Sequence, residues 1–283
     1  MKINLAKSAG FCFGVRRALK IALELAKSGS YVEMPGDIVH NEDVIKAIKN
    51  AGIKKITSLK KGVNKILLIR AHGCSKDIIQ KASNLGYKIA DATCPMVKEI
   101  HKIAVEMESK NYRTIIIGDK KHAEVHGIAG QLTKKAIIID PSESIPFAKI
   151  RKINKACDVV QSTQNLEKVL KIVTLLKKHI KVLKFFNTIC SPTRLKQEEI
   201  KAMPLKNDLM LIIGSKASAN TKRLFEISKS INKRSYWIQS KDDLRQGWLE
   251  DTKTVGITSG SSTPDTTSQE VIRYLNKISA NLT

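Results

Sequence analysis

Short apolar runs that end in Gly- and Ser-rich turns recur along this chain, and each is followed by residues of helical periodicity. Lys65-Ile66-Leu67-Leu68-Ile69 predicts a buried strand, with a turn at 70–75 and a helix after it. Thr114-Ile115-Ile116-Ile117 runs into Gly118-Asp119-Lys120-Lys121-His122 and a second helical start. Leu209-Met210-Leu211-Ile212-Ile213 runs into a turn at 214–220, with a helix from about Thr221. Shorter versions stand at Val159-Val160-Gln161-Ser162-Thr163 and at Val255-Gly256-Ile257-Thr258-Ser259. Strands alternating with helices in this way predict parallel α/β units.

The cysteines divide this pattern into thirds. Cys12, Cys94 and Cys190 are separated by 82 and 96 residues, and each directly precedes a helical pattern. After Cys12 the apolar positions are Val15, Ala18, Leu19, Ala22, Leu25 and Ala26, with Gly29 as a stop; after Cys94 they are Met96, Val97, Ile100, Ile103, Ala104 and Met107. Pro95 and Pro192 suit the first turn of a helix. A thiol at a helix N-terminus meets the positive end of the helix dipole, which favours the thiolate that soft metals and iron–sulfur clusters require. The expected architecture is three similar α/β domains, 1–93, 94–188 and 189–283, with mainly parallel sheets arranged pseudo-threefold around a centre to which each donates one sulfur. Three ligands on a four-iron cluster would leave one iron open. The competing reading is that all five cysteines are buried as small hydrophobes. Cys74 also precedes a helix, and Cys157 opens an apolar run that suggests packing.

Composition narrows the setting. The longest apolar runs are a few residues long, against about 20 for a membrane-spanning helix, and the opening Met1-Lys2-Ile3-Asn4-Leu5-Ala6 lacks a signal-peptide core. The expectation is a soluble cytoplasmic protein, and an odd count of five cysteines fits no disulfide framework. Net charge is +24, with 40 of the 50 basic residues being Lys. Charge of this sign points to an anionic substrate or an acidic protein partner. The lysines are spread along the whole chain and form no aromatic-interleaved basic motif of the kind that stacks bases, which argues against nucleic acid.

Several polar residues fall in the predicted loops. His40, His72 and His122 each lie beside a helix, at the ends of strands where α/β proteins place ligands. Ser218, Asn220 and Ser262 occupy helix-start turns that suit either an anion cradle or ordinary capping. Glu124 in His122-Ala123-Glu124-Val125-His126 is a candidate proton donor or a solvated first-turn carboxylate; the spacing of the two histidines is not that of a zinc protease. His101 and His179 lie in lysine-bearing helices and are expected to be exposed.

Together these motifs resemble one family. Gly10-Phe11-Cys12-Phe13-Gly14-Val15 with Arg17-Ala18, Val39-His40-Asn41, Ala71-His72-Gly73, Asp91-Ala92-Thr93-Cys94-Pro95, His122 with Glu124-Val125, Asn187-Thr188-Ile189-Cys190, Gly214-Ser215-Lys216 and Ser259-Gly260-Ser261-Ser262-Thr263-Pro264-Asp265 stand in the order seen in 4-hydroxy-3-methylbut-2-enyl diphosphate reductases. The resemblance covers almost the full length. It implies a [4Fe-4S] cluster on Cys12, Cys94 and Cys190, a diphosphate held by His40, His72, His122, Ser218, Asn220 and Ser262, and protons delivered by Glu124 with the hydroxyl of Ser162. It implies a reductive dehydroxylation that yields isopentenyl and dimethylallyl diphosphates; such an enzyme needs an electron donor, and the basic charge points to an acidic ferredoxin- or flavodoxin-type one. The chain departs from the family pattern at Ala123, Ser162, Ala219 and Cys74, and between Thr193 and Gln197. Other readings of the same features are a quinolinate synthase-like cluster dehydratase and a basic RNA-binding protein.

Overall fold

In this computed structural model residues 1–281 are described. The first segment contains β1 (Lys2–Leu5), α1 (Phe13–Lys27), β2 (Tyr31–Pro35), α2 (Glu42–Asn50), β3 (Lys54–Ile56), β4 (Lys65–Ile69), α3 (Lys76–Asn84) and β5 (Lys88–Asp91). The second contains α4 (Pro95–Ser109), β6 (Arg113–Ile117), α5 (Ala123–Ala129), β7 (Ile137–Ile139), α6 (Phe147–Ile150), β8 (Lys155–Val160), α7 (Leu166–Lys177) and β9 (Val182–Phe185). The third contains α8 (Ser191–Ala202), β10 (Leu209–Ile213), α9 (Ala219–Ile231), β11 (Ser235–Ile238), β12 (Thr254–Ser259) and α10 (Asp265–Asn281).

The strands form three four-stranded sheets, ordered β3-β2-β4-β5, β7-β6-β8-β9 and β1-β12-β10-β11. Each described ladder is parallel. The fold is therefore α/β with three similar sheet-centred domains, as the periodicity predicts. Continuous apolar strands are what a parallel sheet covered on both faces requires. Accordingly Ile115 and Ile117 of β6 pack with Val169, Val173 and Leu176 of α7, while Ile116 packs with Ile100 and Ala104 of α4 on the opposite face. Leu209, Leu211 and Ile213 of β10 face Val271 and Leu275 of α10, and Met210 and Ile212 face Leu224 and Ile227 of α9.

The contiguous thirds expected from the cysteine spacing differ from the sheets at one place. β1 pairs in parallel with β12, Lys2 opposite Thr254, so the chain's opening strand is an edge of the C-terminal sheet. By packing, the chain divides into two compact units. One is Met1–Arg16, His40–Lys46 and Ser191–Thr283; the other is Arg17–Val39 with Ala47–Cys190 and carries the two remaining sheets. Strand β1 is not among the strands that the apolar runs predict, and pairing across most of the chain leaves no local signal of its partner. Among the described residues no helix is long and apolar enough to cross a membrane.

Candidate active site

None of the five cysteines is in a disulfide, and they fall into two groups. Cys74 packs with Leu67, Ile69 and Tyr87, and Cys157 packs with Met107 and Tyr112. Burial pushes both thiols up to about 11, so they stay protonated at neutral pH. Cys12, Cys94 and Cys190 are half-buried. Each immediately precedes, or stands as the cap of, a helix of 12 to 15 residues: α1, α4 and α8.

In the larger unit, Cys94 caps α4, with Pro95 in the first turn supplying a preset φ and no orphaned N–H. The Cys94 N–H donates to the Ala71 carbonyl at 3.0 Å. One residue earlier, the Thr93 N–H donates to Asp91 Oδ1 at 2.9 Å and the Thr93 carbonyl accepts from Arg17 Nη1 at 3.1 Å. Asp91 is also held by Lys98 at 2.6 Å. This explains the Arg17 of the opening motif: its side chain anchors the segment that ends in Cys94.

The Cys190 segment lies along the end of β8. Thr188 Oγ1 donates to the Val160 carbonyl at 2.5 Å and accepts the Val160 N–H at 2.8 Å. The Cys190 N–H then donates to the Ser162 carbonyl at 3.1 Å. Ser162 faces Glu124: its N–H donates to Glu124 Oε1 at 2.6 Å and its hydroxyl to Oε2 at 2.8 Å. Glu124 is 2% exposed, so it is not a solvated first-turn carboxylate. A buried carboxylate is tolerated only when hydrogen-bonded, and Ser162 meets that need on both oxygens.

His122 caps α5, its Nδ1 accepting the Glu124 N–H at 3.2 Å, which places the proton of a neutral imidazole on Nε2. His72 stands edge-on to it, with ring centroids 5.3 Å apart. The His72 segment passes close to α5 at Gly127, where a Cβ would stand 3.3 Å from the His72 carbonyl oxygen, a tight contact that glycine avoids. His101 is not exposed as the lysine-rich helix suggests. It lies half-buried beside Gly73, and desolvation lowers its imidazole to about 4, so it is neutral. His179 is likewise half-buried, against the Phe147 ring at 5.0 Å.

In the smaller unit, Ser262 Oγ donates to the His40 carbonyl at 3.0 Å. Ser218 caps α9, accepting the Thr221 N–H at 3.3 Å, so the helix starts two residues before the expected point. Asn220 Nδ2 donates to Ser261 Oγ at 3.3 Å, while its buried Oδ1 has no partner. The Cys12 loop meets the same turn, with the Cys12 N–H donating to the Ser261 carbonyl at 3.1 Å and the Gly10 N–H to Ser259 Oγ at 2.6 Å. Gly10 has φ of 89°, and a Cβ there would lie 1.7 Å from Asp265 Oδ1, so only glycine fits.

Two residues outside the expected set stand out. Lys196 is 2% exposed on α8, and its Nζ donates to the carbonyls of Ser8, Gly10 and Ser259. Burial lowers its ammonium to about 8, which leaves it mostly charged at neutral pH. Glu199 accepts the Lys7 and Ser8 N–H groups at 2.6 and 3.0 Å and the Ser8 hydroxyl at 2.5 Å. A trace existed in the sequence: Thr193, Lys196, Gln197 and Ile200 share the buried face of α8, and only one of them is apolar.

The family model for LytB protein matches residues 3–276. The 4-hydroxy-3-methylbut-2-enyl diphosphate reductase of Clostridioides difficile (strain 630) is 36% identical over 280 residues, covering 98% of this chain and 100% of the relative. The enzyme of that name from Campylobacter fetus subsp. fetus (strain 82-40) is 38% identical over 283 residues, with 98% of each covered. A solved structure of (E)-4-hydroxy-3-methyl-but-2-enyl diphosphate reductase, the terminal enzyme of the non-mevalonate pathway, superposes with TM-score 0.73 at 35% identity, over 98% of this chain and 100% of that one. The Plasmodium falciparum E-1-hydroxy-2-methyl-but-2-enyl-4-diphosphate reductase gives TM-score 0.86 at 29% identity, over 97% and 87%. The chain belongs to the LytB family, that of the reductases its motifs resemble, and is an oxidoreductase.

Proposed function

We propose that this protein reduces 4-hydroxy-3-methylbut-2-enyl diphosphate to isopentenyl and dimethylallyl diphosphates, using a [4Fe-4S] cluster held by Cys12, Cys94 and Cys190. The whole-length match to reductases of that name carries the reading. It is supported by the sorting of the five cysteines: the three assigned ligands are half-buried at helix starts, and the two others are buried and held protonated. That donor set suits a thiolate-bound cluster. The match also favours this reading over a quinolinate synthase-like dehydratase or an RNA-binding protein.

When bound, the cluster would relay the donor's two electrons one at a time and offer an iron able to act as a Lewis acid toward a poor leaving group. The net change breaks the allylic C–O bond, forms a C–H bond, consumes two electrons and two protons, and releases water. His40, His72, His122, Ser218, Asn220 and Ser262 hold the diphosphate. The proton on His122 Nε2 and the hydroxyls and amide of the others suit phosphate oxygens. Glu124 passes protons to the substrate, and Ser162 orients its carboxyl through two hydrogen bonds. The +24 charge suits an acidic ferredoxin- or flavodoxin-type donor, drawn in electrostatically. A cytoplasmic location, where thiols stay reduced, fits five cysteines without a disulfide.

The test is an anaerobic assay of the reconstituted protein with the allylic diphosphate and a chemical reductant. Formation of the two C5 diphosphates is expected; an iron-loaded protein that leaves the alcohol intact would refute the assignment.

A further inference from the structure

Helix α8 holds the loop that carries Cys12 through both kinds of backbone group. From one turn, Lys196 Nζ reaches three carbonyls: Ser8 and Gly10 of the loop, and Ser259 at the end of β12. From the next, Glu199 takes up the Lys7 and Ser8 N–H groups and the Ser8 hydroxyl. A lysine rarely loses all contact with water, and its burial here is balanced by carbonyl oxygens with no carboxylate bonded to it. The charges that act on it nonetheless include Cys12, along with Glu199 and Asp265.

We propose that Lys196 and Glu199 are positioning residues for the Cys12 ligand, and that the Lys196 ammonium is a fixed buried cation that raises the reduction potential of the bound cluster. The inference rests on Cys12 being a cluster ligand. Lys196 fixes the loop from its carbonyl side and Glu199 from its amide side. The cation also offsets negative charge that arrives on reduction, because charge interactions at a site shielded from water are weakly screened. The carboxylate of Glu199 is half-exposed and acts in the opposite sense, more weakly.

Two measurements test this with Lys196→Met, Lys196→Arg and Glu199→Gln. The first is amide hydrogen exchange in the metal-free chain over residues 6–12. Lys196→Met and Glu199→Gln are expected to speed exchange there by about tenfold or more, the loss of one to two charge-assisted hydrogen bonds, and Lys196→Arg to restore much of the protection. Unchanged exchange in both loss variants overturns the clamp. The second is the midpoint potential of the reconstituted cluster. Lys196→Met should lower it, Glu199→Gln should raise it slightly, and Lys196→Arg should stay near the parent. Loosening of the loop alone would move both loss variants the same way, and that result, or no shift, overturns the buried-cation role. A parent protein that binds no cluster would refute the ligand assignment itself, and exchange in the metal-free chain would still decide the clamp.

Discussion

The middle of β8 and the loop at its carboxyl end hold the same two chemical groups in opposite circumstances. Mid-strand, Cys157 and Asp158 are both fully buried, and neither oxygen of Asp158 has a hydrogen-bond partner. At the end of the strand, the Cys190 segment docks on Val160 and Ser162, and the Glu124 carboxylate receives two hydrogen bonds from Ser162. Desolvation favours the neutral forms of the mid-strand groups: the thiol, whose one hydrogen bond goes to Thr114 Oγ1, is pushed up to about 11 and the unpartnered Asp158 carboxyl to about 7. The same side chains therefore meet desolvation in the middle of this strand and backbone amides and hydroxyls two or three residues beyond its end.

The sharpest way to break the contrast is through the sulfurs. Replacing Cys190 with Ser should abolish most bound iron after anaerobic reconstitution, while Cys157→Ser keeps it; equal iron loss in the two would end the distinction. The carboxylates come next. Glu124→Gln is expected to cut turnover about 100-fold or more per cluster, the range for losing a general acid, whereas Asp158→Asn leaves turnover at the parent value.

Asp158 should show itself in stability instead. Its folded-state value lies above the ordinary 3.8, so the native chain keeps a proton that the unfolded chain releases. Stability from this group is full below about pH 4, falls as pH rises toward 7, and is level above, a loss of up to about 4 kcal/mol. Denaturant melts of Asp158→Asn between pH 4 and 8 should lack that decline; a parallel pH dependence in parent and variant would count against it. The smallest effect is expected from Ser162→Ala, which removes one of two hydrogen bonds to Glu124. About tenfold in turnover, restored by Ser162→Thr, is the outcome expected for loss of one bond to a charged group.

Much of this was legible in the chain. Strands β4 and β10 fall where the apolar runs place them, and Cys157 lies in a core as its apolar run suggests, whereas Cys74, which also precedes a helix, is told apart from the other three only by its burial against Leu67, Ile69 and Tyr87. Glu124 was ambiguous because its character depends on Ser162, 38 residues away, and no local pattern reports a long-range hydrogen bond. Lys196 left only a faint trace for a related reason: a lysine within a charged helix reads as solvated unless its partners, here backbone carbonyls from 63 to 188 residues distant, are known. His101 misled in the same way, since tertiary packing around Gly73 overrode the polar look of its helix.

The edge position of β1 has a bearing on biogenesis. Strand β1 finds its neighbour only when β12 has been made, with Lys2 waiting for Thr254 and the Cys12 amide for the Ser261 carbonyl. Domains generally fold as they emerge during synthesis, but here the Cys12 loop has only its α8 contacts until the ribosome has passed β12. A ribosome that stops short of β12 therefore releases a chain whose Cys12 loop lacks its β12 and Ser261 anchors.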